Sequence, residues 1–198
     1  SRVMQGVTTA FLEDVWSRNF LNLFATPLSI GEYLTGLVAS SIATSTIGLV
    51  VMLLLATTFF GLSFFAYGLL LVPFIGLLFL FGIALGIAAC AIVLWLGPAS
   101  EWFVWPIPAV VAPFAGVFYP VATLPRWMQL IAHLLPPSAV FEDMRRIVLG
   151  RPVSMLELCW GGGLSIAYLG LACWFFTRVH RRAVRTGLIA RYSAENLG

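Results

Sequence analysis

Residues able to do chemistry are few. The chain carries eight acidic residues, eleven arginines, two histidines, three cysteines and no lysine. A nucleotide-binding loop of the form GxxxxGK[ST] needs its lysine to reach the β and γ phosphates, so this chain holds no such loop. His133 and His180 stand far apart and lack the i, i+4 spacing of an HExxH zinc site. Cys90, Cys159 and Cys173 lie in apolar runs without CxxC or Cys/His spacing, which argues against both a disulfide framework and a zinc centre. No catalytic, cofactor-binding or metal-ligating constellation is expected. Two groups of charges remain, Glu13, Asp14 and Arg18 near the start and Phe141-Glu-Asp-Met-Arg-Arg146 further on. In the second, Glu142 can meet Arg145 or Arg146 at i+3 or i+4 on one helical face. That group reads as a solvated helix end, as a charged collar at the outer mouth of a path, or as a pin for the segment before it.

The elements that carry these groups follow from apolar spacing and from proline. Leu12, Val15, Trp16, Phe20, Leu23 and Phe24 recur at helical spacing, with Glu13, Asp14, Ser17, Arg18, Asn19 and Asn22 opposite. This predicts an amphipathic helix over residues 12–27, ended by Thr26-Pro27. Such a helix either rests at a membrane interface or docks a cytoplasmic partner through its polar face. Eight of the eleven prolines fall between Pro98 and Pro137, and a proline inside a helix costs about 3 kcal/mol. A broken helix is expected there, followed over residues 120–150 by short segments that dip back towards the membrane, buried in protein or lining a cavity. Their boundary pieces are Phe118-Tyr-Pro120, Leu124-Pro-Arg-Trp127 and Pro136-Pro137. Trp102, Tyr119 and Trp127 suit the headgroup level.

Of 198 residues, 61% are hydrophobic and 10% charged, against roughly a quarter charged in an ordinary globular chain. So few charges cannot cover a soluble domain of this size, which makes a bilayer the expected solvent. The expected fold is all-α, a polytopic transmembrane bundle, because only helices or closed barrels satisfy every backbone group in lipid and the apolar runs lack a strand's alternation. Crossing about 30 Å of hydrocarbon takes roughly 20 residues. Four spans are expected: Tyr33 to Phe60, Phe64 to Leu96, Trp102 to Tyr119 and Met155 to Thr177. The second must tilt or bend at Pro73, and the third contains Pro106, Pro108 and Pro113. Residues 1–11 read as the end of a preceding span, and residues 178–198 as a basic tail.

Three stripes of small residues lie at helical spacing: Gly36, Ser40 and Thr44; Gly82, Gly86 and Ala89; Gly163, Ala167 and Gly170. They let helices approach closely in lipid, within one subunit or across a dimer seam. Four spans put both ends on one side, together with Arg2, Arg18, Arg178, Arg181, Arg182, Arg185 and Arg191. Arg126, Arg145, Arg146 and Arg151 fall on the other, so the positive-inside bias makes the ends cytoplasmic. The first two spans carry no charge, which argues against an internal proton or sodium relay. A formal charge of +3 is too weak for nucleic acid, and anionic membrane lipid is the natural counterpart.

Three segments follow one another in order. Asn22-Leu-Phe-Ala-Thr-Pro-Leu-Ser29 is similar to an LxATPLS sequence; Gly116-Val-Phe-Tyr-Pro-Val-Ala-Thr-Leu-Pro-Arg-Trp127 is similar to an SGVFFP…LPxW signature, with Ala115 where serine is common; Leu135-Pro136, Glu142 and Arg145 to Gly150 resemble an LP…E…R…G tail. The ordered set resembles the permease subunit of ABC-2 type transporters, the group that includes nodulation-factor, antibiotic and multidrug exporters. With the intervening spans it covers nearly the whole chain.

The resemblance implies six spans per subunit, the first and most of the second lying before Ser1, a second permease copy in a homodimer, and two cytoplasmic ABC ATPase subunits that bind ATP and Mg. It implies that Leu12 to Pro27 is the coupling helix, its ATPase contacts drawn from Glu13, Asp14, Trp16, Arg18, Phe20, Asn22, Thr26 and Pro27. Pro120 to Pro137 would form an extracytoplasmic re-entrant hairpin, with a gate built from Tyr119, Pro120, Leu124, Pro125, Trp127, Pro136, Glu142 and Arg145. The expected function is ATP-driven export of an amphiphilic, lipidic, drug-like or glycan substrate across a bacterial cytoplasmic membrane, by a chain that is not itself an enzyme. The alternative is a membrane anchor or scaffold that recruits a cytoplasmic partner.

Overall fold

Glycine and proline decide where the apolar runs become helix in the computed structural model, which describes residues 2–17, 28–61, 68–97 and 100–186. Helix α1 spans Arg2–Trp16, α2 Ile30–Phe60, α3 Leu71–Leu96, α4 Glu101–Val104 and α5 Ile107–Val111. A 3₁₀ turn at Val121–Thr123 precedes α6, Arg126–His133, α7, Pro136–Val148, and α8, Met155–Arg185. Among the described residues there is no strand. At 1.5 Å per residue, the 31, 26 and 31 residues of α2, α3 and α8 extend roughly 46, 39 and 46 Å, more than the ~30 Å of a bilayer core. These three helices are long and apolar enough to cross a membrane.

Local chemistry sets their ends. Ser29 and Glu32 form a capping box at the start of α2. The Ser29 N–H donates to Glu32 Oε2 at 2.8 Å and the Glu32 N–H donates to Ser29 Oγ at 3.3 Å, satisfying two donors that a helix start leaves unpaired. Pro73 lies in the first turn of α3, where its missing N–H costs nothing, so α3 does not need the bend that a longer span would have required. Gly97 closes the same helix at φ +100°, its N–H donating to Val93 O at 2.8 Å. A side chain is disfavoured in that left-handed conformation.

The chain forms two compact units. The first comprises residues 1–45, 82–105 and 169–198, the second residues 46–81 and 106–168. The first unit is organised around α1. Val3, Met4, Val7, Phe11 and Leu12 are all buried. Gly82 and Gly86 of α3 make room for them: a Cβ on Gly86 would stand 2.8 Å from Val7 Cβ, and one on Gly82 3.2 Å from Val3 Cβ. From α2, Ser41 donates its hydroxyl to Val3 O at 2.7 Å. From α8, Phe176 meets Phe11 edge-on at 6.3 Å. The second stripe of small residues therefore packs inside the chain. Gly36, Gly163 and Gly170 of the other two stripes have nothing within 4 Å of a Cβ position.

In the second unit α6 and α7 form a short helical pair joined at Leu134–Leu135, and the first turns of α8 pack on them. A Cβ on Gly161 would lie 3.4 Å from Ala139 Cβ and 3.6 Å from Pro136 O. The Trp160 indole donates to His133 O, and the Tyr168 hydroxyl to Leu134 O, both at 3.1 Å.

Two boundaries differ from the sequence expectation. Residues 1–11 and the start of the amphipathic segment are not separate pieces, because α1 runs unbroken through Phe11 and Leu12. No glycine or proline interrupts Val7 to Trp16, and Phe11 and Leu12 are buried together. The stretch from Trp102 to Tyr119 is not a continuous span. Pro106, Pro108 and Pro113 reduce it to α4, α5 and turns, which leaves, among the described residues, three helices long enough to cross a membrane where four spans were expected.

Candidate functional site

The residues expected to act fall into two groups, one in each unit. In the first, α1 ends at Trp16 and Ser17. Glu13 and Trp16 are exposed there. Asp14 is partly buried, and its Oδ2 accepts the Tyr33 hydroxyl of α2 at 2.9 Å. Asp14 therefore ties α1 to α2, rather than presenting both carboxylate oxygens to a partner. Arg18, Phe20, Asn22, Thr26 and Pro27 lie outside the described residues.

The second group is assembled around Glu142 and Arg145 of α7. Gly116 turns the chain at φ +66°, and a Cβ there would press on Val121 Cγ2 at 3.0 Å, so a side chain is disfavoured by conformation and crowded by Val121. The turn that follows is held from α7. Glu142 Oε1 accepts the Val121 N–H at 2.8 Å and Arg145 Nη1 at 2.7 Å. Arg145 Nη2 donates to Gly116 O, and more weakly to Val117 O at 3.4 Å. The Tyr119 hydroxyl donates to Pro113 O at 2.9 Å, closing the loop on its other side. Pro120 begins the 3₁₀ turn and Pro125 the helix α6. Gln129 donates to Leu124 O at 2.7 Å, fixing the link between them. Trp127 stands edge-on to Phe114 at 6.3 Å, and Pro136 opens α7 at its first position, where the missing N–H is harmless.

A second set of charges anchors α7 to the start of α8. Asp143 is fully buried. Its Oδ1 accepts Arg146 Nη1 at 2.9 Å and the Ser154 N–H at 3.0 Å. Arg146 Nη2 reaches Glu157 at 2.7 Å. The hydrogen bond to Glu157 leads the causes that push the Arg146 guanidinium above its ordinary pKa, with the charges of Glu157 and Asp143 adding to it against desolvation.

This geometry distributes the charges of the second unit as internal fasteners. Arg145 and Arg146 are matched by Glu142, Asp143 and Glu157 within ion-pair distance. Glu142 and Arg145 grip backbone of the proline-rich turn, which cannot form a helical ladder of its own, while Asp143 and Arg146 hold the Ser154 amide and Glu157. No group of three or more metal-ligating side chains exists among the described residues.

Searches against family models, curated proteins and solved structures each found no match.

All eight residues expected at the outer gate, Tyr119, Pro120, Leu124, Pro125, Trp127, Pro136, Glu142 and Arg145, belong to the second unit. Asp143, Glu157, Gln129 and Tyr33 were not anticipated as site residues. The i+3 spacing of Asp143 and Arg146 was a usable signal. Glu157 was not, because eleven residues and a turn separate it from Arg146. Gln129 and Tyr33 had no signal beyond being polar groups beside apolar runs.

Proposed function

We propose that this chain is the membrane-spanning permease subunit of an ATP-driven ABC exporter of the ABC-2 type, working as a homodimer with separate ATPase subunits in a bacterial cytoplasmic membrane. One observation carries the reading. Two of the three resembling segments, Gly116 to Trp127 and the Glu142 to Gly150 tail, are bonded to each other through Glu142, Arg145, Val121 and Gly116. A sequence pattern whose separated members join in space describes a built element rather than a coincidence of composition. In this reading the fastened turn is an extracytoplasmic re-entrant hairpin that closes the path. The end of α1 with the residues after it is the coupling helix, which receives the motion of the ATPase, and the C-terminus is cytoplasmic. ATP and Mg are bound by the partner, and the chain supplies the path for an amphiphilic, lipidic, drug-like or glycan substrate.

The test is to purify the chain together with the products of its neighbouring genes. An ATPase should copurify, and its turnover should rise when candidate substrates are added. A variant carrying Glu13→Arg, Trp16→Ala and Arg18→Glu, which leaves the Asp14–Tyr33 bond in place, should keep the assembly in the membrane but lose at least about tenfold of transport per ATP hydrolysed. Undiminished coupled transport in that variant refutes the docking role. An ATPase that binds with no response of its turnover to any substrate makes the chain an anchor instead of a permease.

A further inference from the structure

We propose that the C-terminal third of α8 is a binding site for the headgroup of an anionic glycerophospholipid, a site independent of any transport path. Three observations converge on it.

The first is register. Trp174, Thr177, Arg178, Arg181, Arg182 and Arg185 occur at i, i+3, i+4, i+7, i+8 and i+11, which is one face of a helix. On the opposite face Ala172, Phe176, Val179, His180 and Ala183 are buried against the first unit. The packed side fixes the rotation of the helix, so the arginine side faces outward together with Trp174. Together with Cys173, the same six residues line an open cleft of about 710 Å³.

The second is depth. Between Glu157 and Arg178, α8 has twenty uncharged residues, which at 1.5 Å each span the ~30 Å of a bilayer core. Arg178 then sits at the edge of the hydrocarbon. Trp174 lies one turn inside it, where indole rings concentrate, and Arg181, Arg182 and Arg185 follow over the next two turns at headgroup level.

The third is unbalanced charge. The four guanidinium groups repel one another at i+3 and i+4, and among the described residues no carboxylate comes within ion-pair distance of any of them. The nearest compensation is the Trp174 ring, with the Arg178 guanidinium 5.6 Å from its centroid. Arginine offers phosphate a planar pair of donors, and a phosphodiester at this level would bridge several of the four. The inner end of the cleft, at Cys173, Trp174 and Thr177, is uncharged and suits the glycerol and first acyl carbons of a lipid. A soluble anion or an acidic peptide would leave that end uncovered.

The experiment uses the full-length purified protein in a mild zwitterionic detergent, titrated with phosphatidylglycerol or phosphatidylcholine and followed by native mass spectrometry. Phosphatidylglycerol should bind at least about tenfold more tightly than phosphatidylcholine, a margin that a few arginines near an anionic headgroup readily supply. Arg181→Gln with Arg182→Gln should erase most of that preference. Arg178, Arg181, Arg182 and Arg185 all changed to Lys should retain part of it, since charge persists while the paired donors are lost. Arg126→Gln with Arg151→Gln should leave it intact. All these side chains are exposed, so helical content and melting temperature should stay at wild-type values and report that each variant is folded. Equal preference in wild type and the Arg181/Arg182 variant overturns the proposal. So does displacement of the lipid by millimolar inorganic phosphate, which would make the site one for a free anion. Absence of any phosphatidylglycerol preference, with loss of a copurifying protein in the glutamine variant, would assign the face to an acidic protein instead.

Discussion

At the scale of single residues, Glu142 is where the proline-rich segment gains its shape. One carboxylate oxygen accepts both the Val121 amide and the Arg145 guanidinium, and Arg145 in turn holds the Gly116 carbonyl. The pair is partly exposed, 27% at each side chain, so its Coulomb attraction is screened and the hydrogen bonds to backbone matter more. Glu142→Ala would leave a donor on each side without a partner, at an expected loss of about 1–3 kcal/mol. Glu142→Gln, which keeps an acceptor, should lose roughly half as much. Thermal unfolding in detergent measures both, and limited proteolysis should cut the alanine variant first between Gly116 and Pro125. Equal melting of the alanine variant and wild type would mean the turn holds without its clasp. The i+3 relation of Glu142 to Arg145 was legible in the sequence, but its target was not, because nothing in a string of letters shows that an amide 21 residues earlier comes within 2.8 Å. Asp14 shows the same limit. Its position on a polar helical face pointed outward to a partner, whereas a tyrosine 19 residues later takes one of its oxygens.

At the scale of elements, the contrast among small residues decides which helix faces are used. Gly86 lies under α1 with Val7 Cβ 2.8 Å and Met4 O 3.2 Å from where its own Cβ would be. Neither neighbour is the far end of a flexible side chain, so Gly86→Ala must push α1 off α3, at a cost of about 1–3 kcal/mol. Gly163→Ala, with nothing within 4 Å, should change stability by less than about 1 kcal/mol. Melting temperatures of the two variants compare these directly, and similar losses at both sites would contradict the packing of α1. Sequence spacing identified both stripes as close-approach faces but could not tell them apart, since Gly82, Gly86, Ala89 and Gly163, Ala167, Gly170 both follow i, i+4, i+7. The junction within α1 is a related case. The change from apolar to mixed residues at Leu12 reads as a boundary, yet a helix ends where its backbone bonding ends, and residues 7–16 hold neither glycine nor proline. The proline cluster gave the opposite lesson. Pro106 and Pro108 remove donors wherever they stand, so the break in the third apolar stretch was readable in the sequence, while its count as a span was not upheld.

At the scale of the whole molecule, the described residues hold three helices long enough to cross a membrane where four spans were expected, so the simple parity argument that put both chain ends on one side no longer applies. A contact replaces it. Phe11, near the end of α1, packs edge-on against Phe176 in the C-terminal part of α8, and both belong to the same unit, so Ser17 and Thr186 should emerge on the same side of the membrane. Arg151 precedes the other end of α8, whose 31 residues cover roughly 46 Å, more than the bilayer core, and should be on the opposite side. The arginines agree with this, four of them on α8 beyond its uncharged stretch and Arg151 before it. The prediction can be checked in sealed vesicles with a membrane-impermeant maleimide, on single cysteines placed at Ser17, Arg151 and Thr186 after Cys90, Cys159 and Cys173 are replaced by alanine. Ser17→Cys and Thr186→Cys should label from one side, and Arg151→Cys only from the other. Labelling of Arg151→Cys and Thr186→Cys from the same side would mean that α8 does not cross. Labelling of Ser17→Cys and Thr186→Cys from opposite sides would mean that the Phe11–Phe176 contact does not form in the membrane.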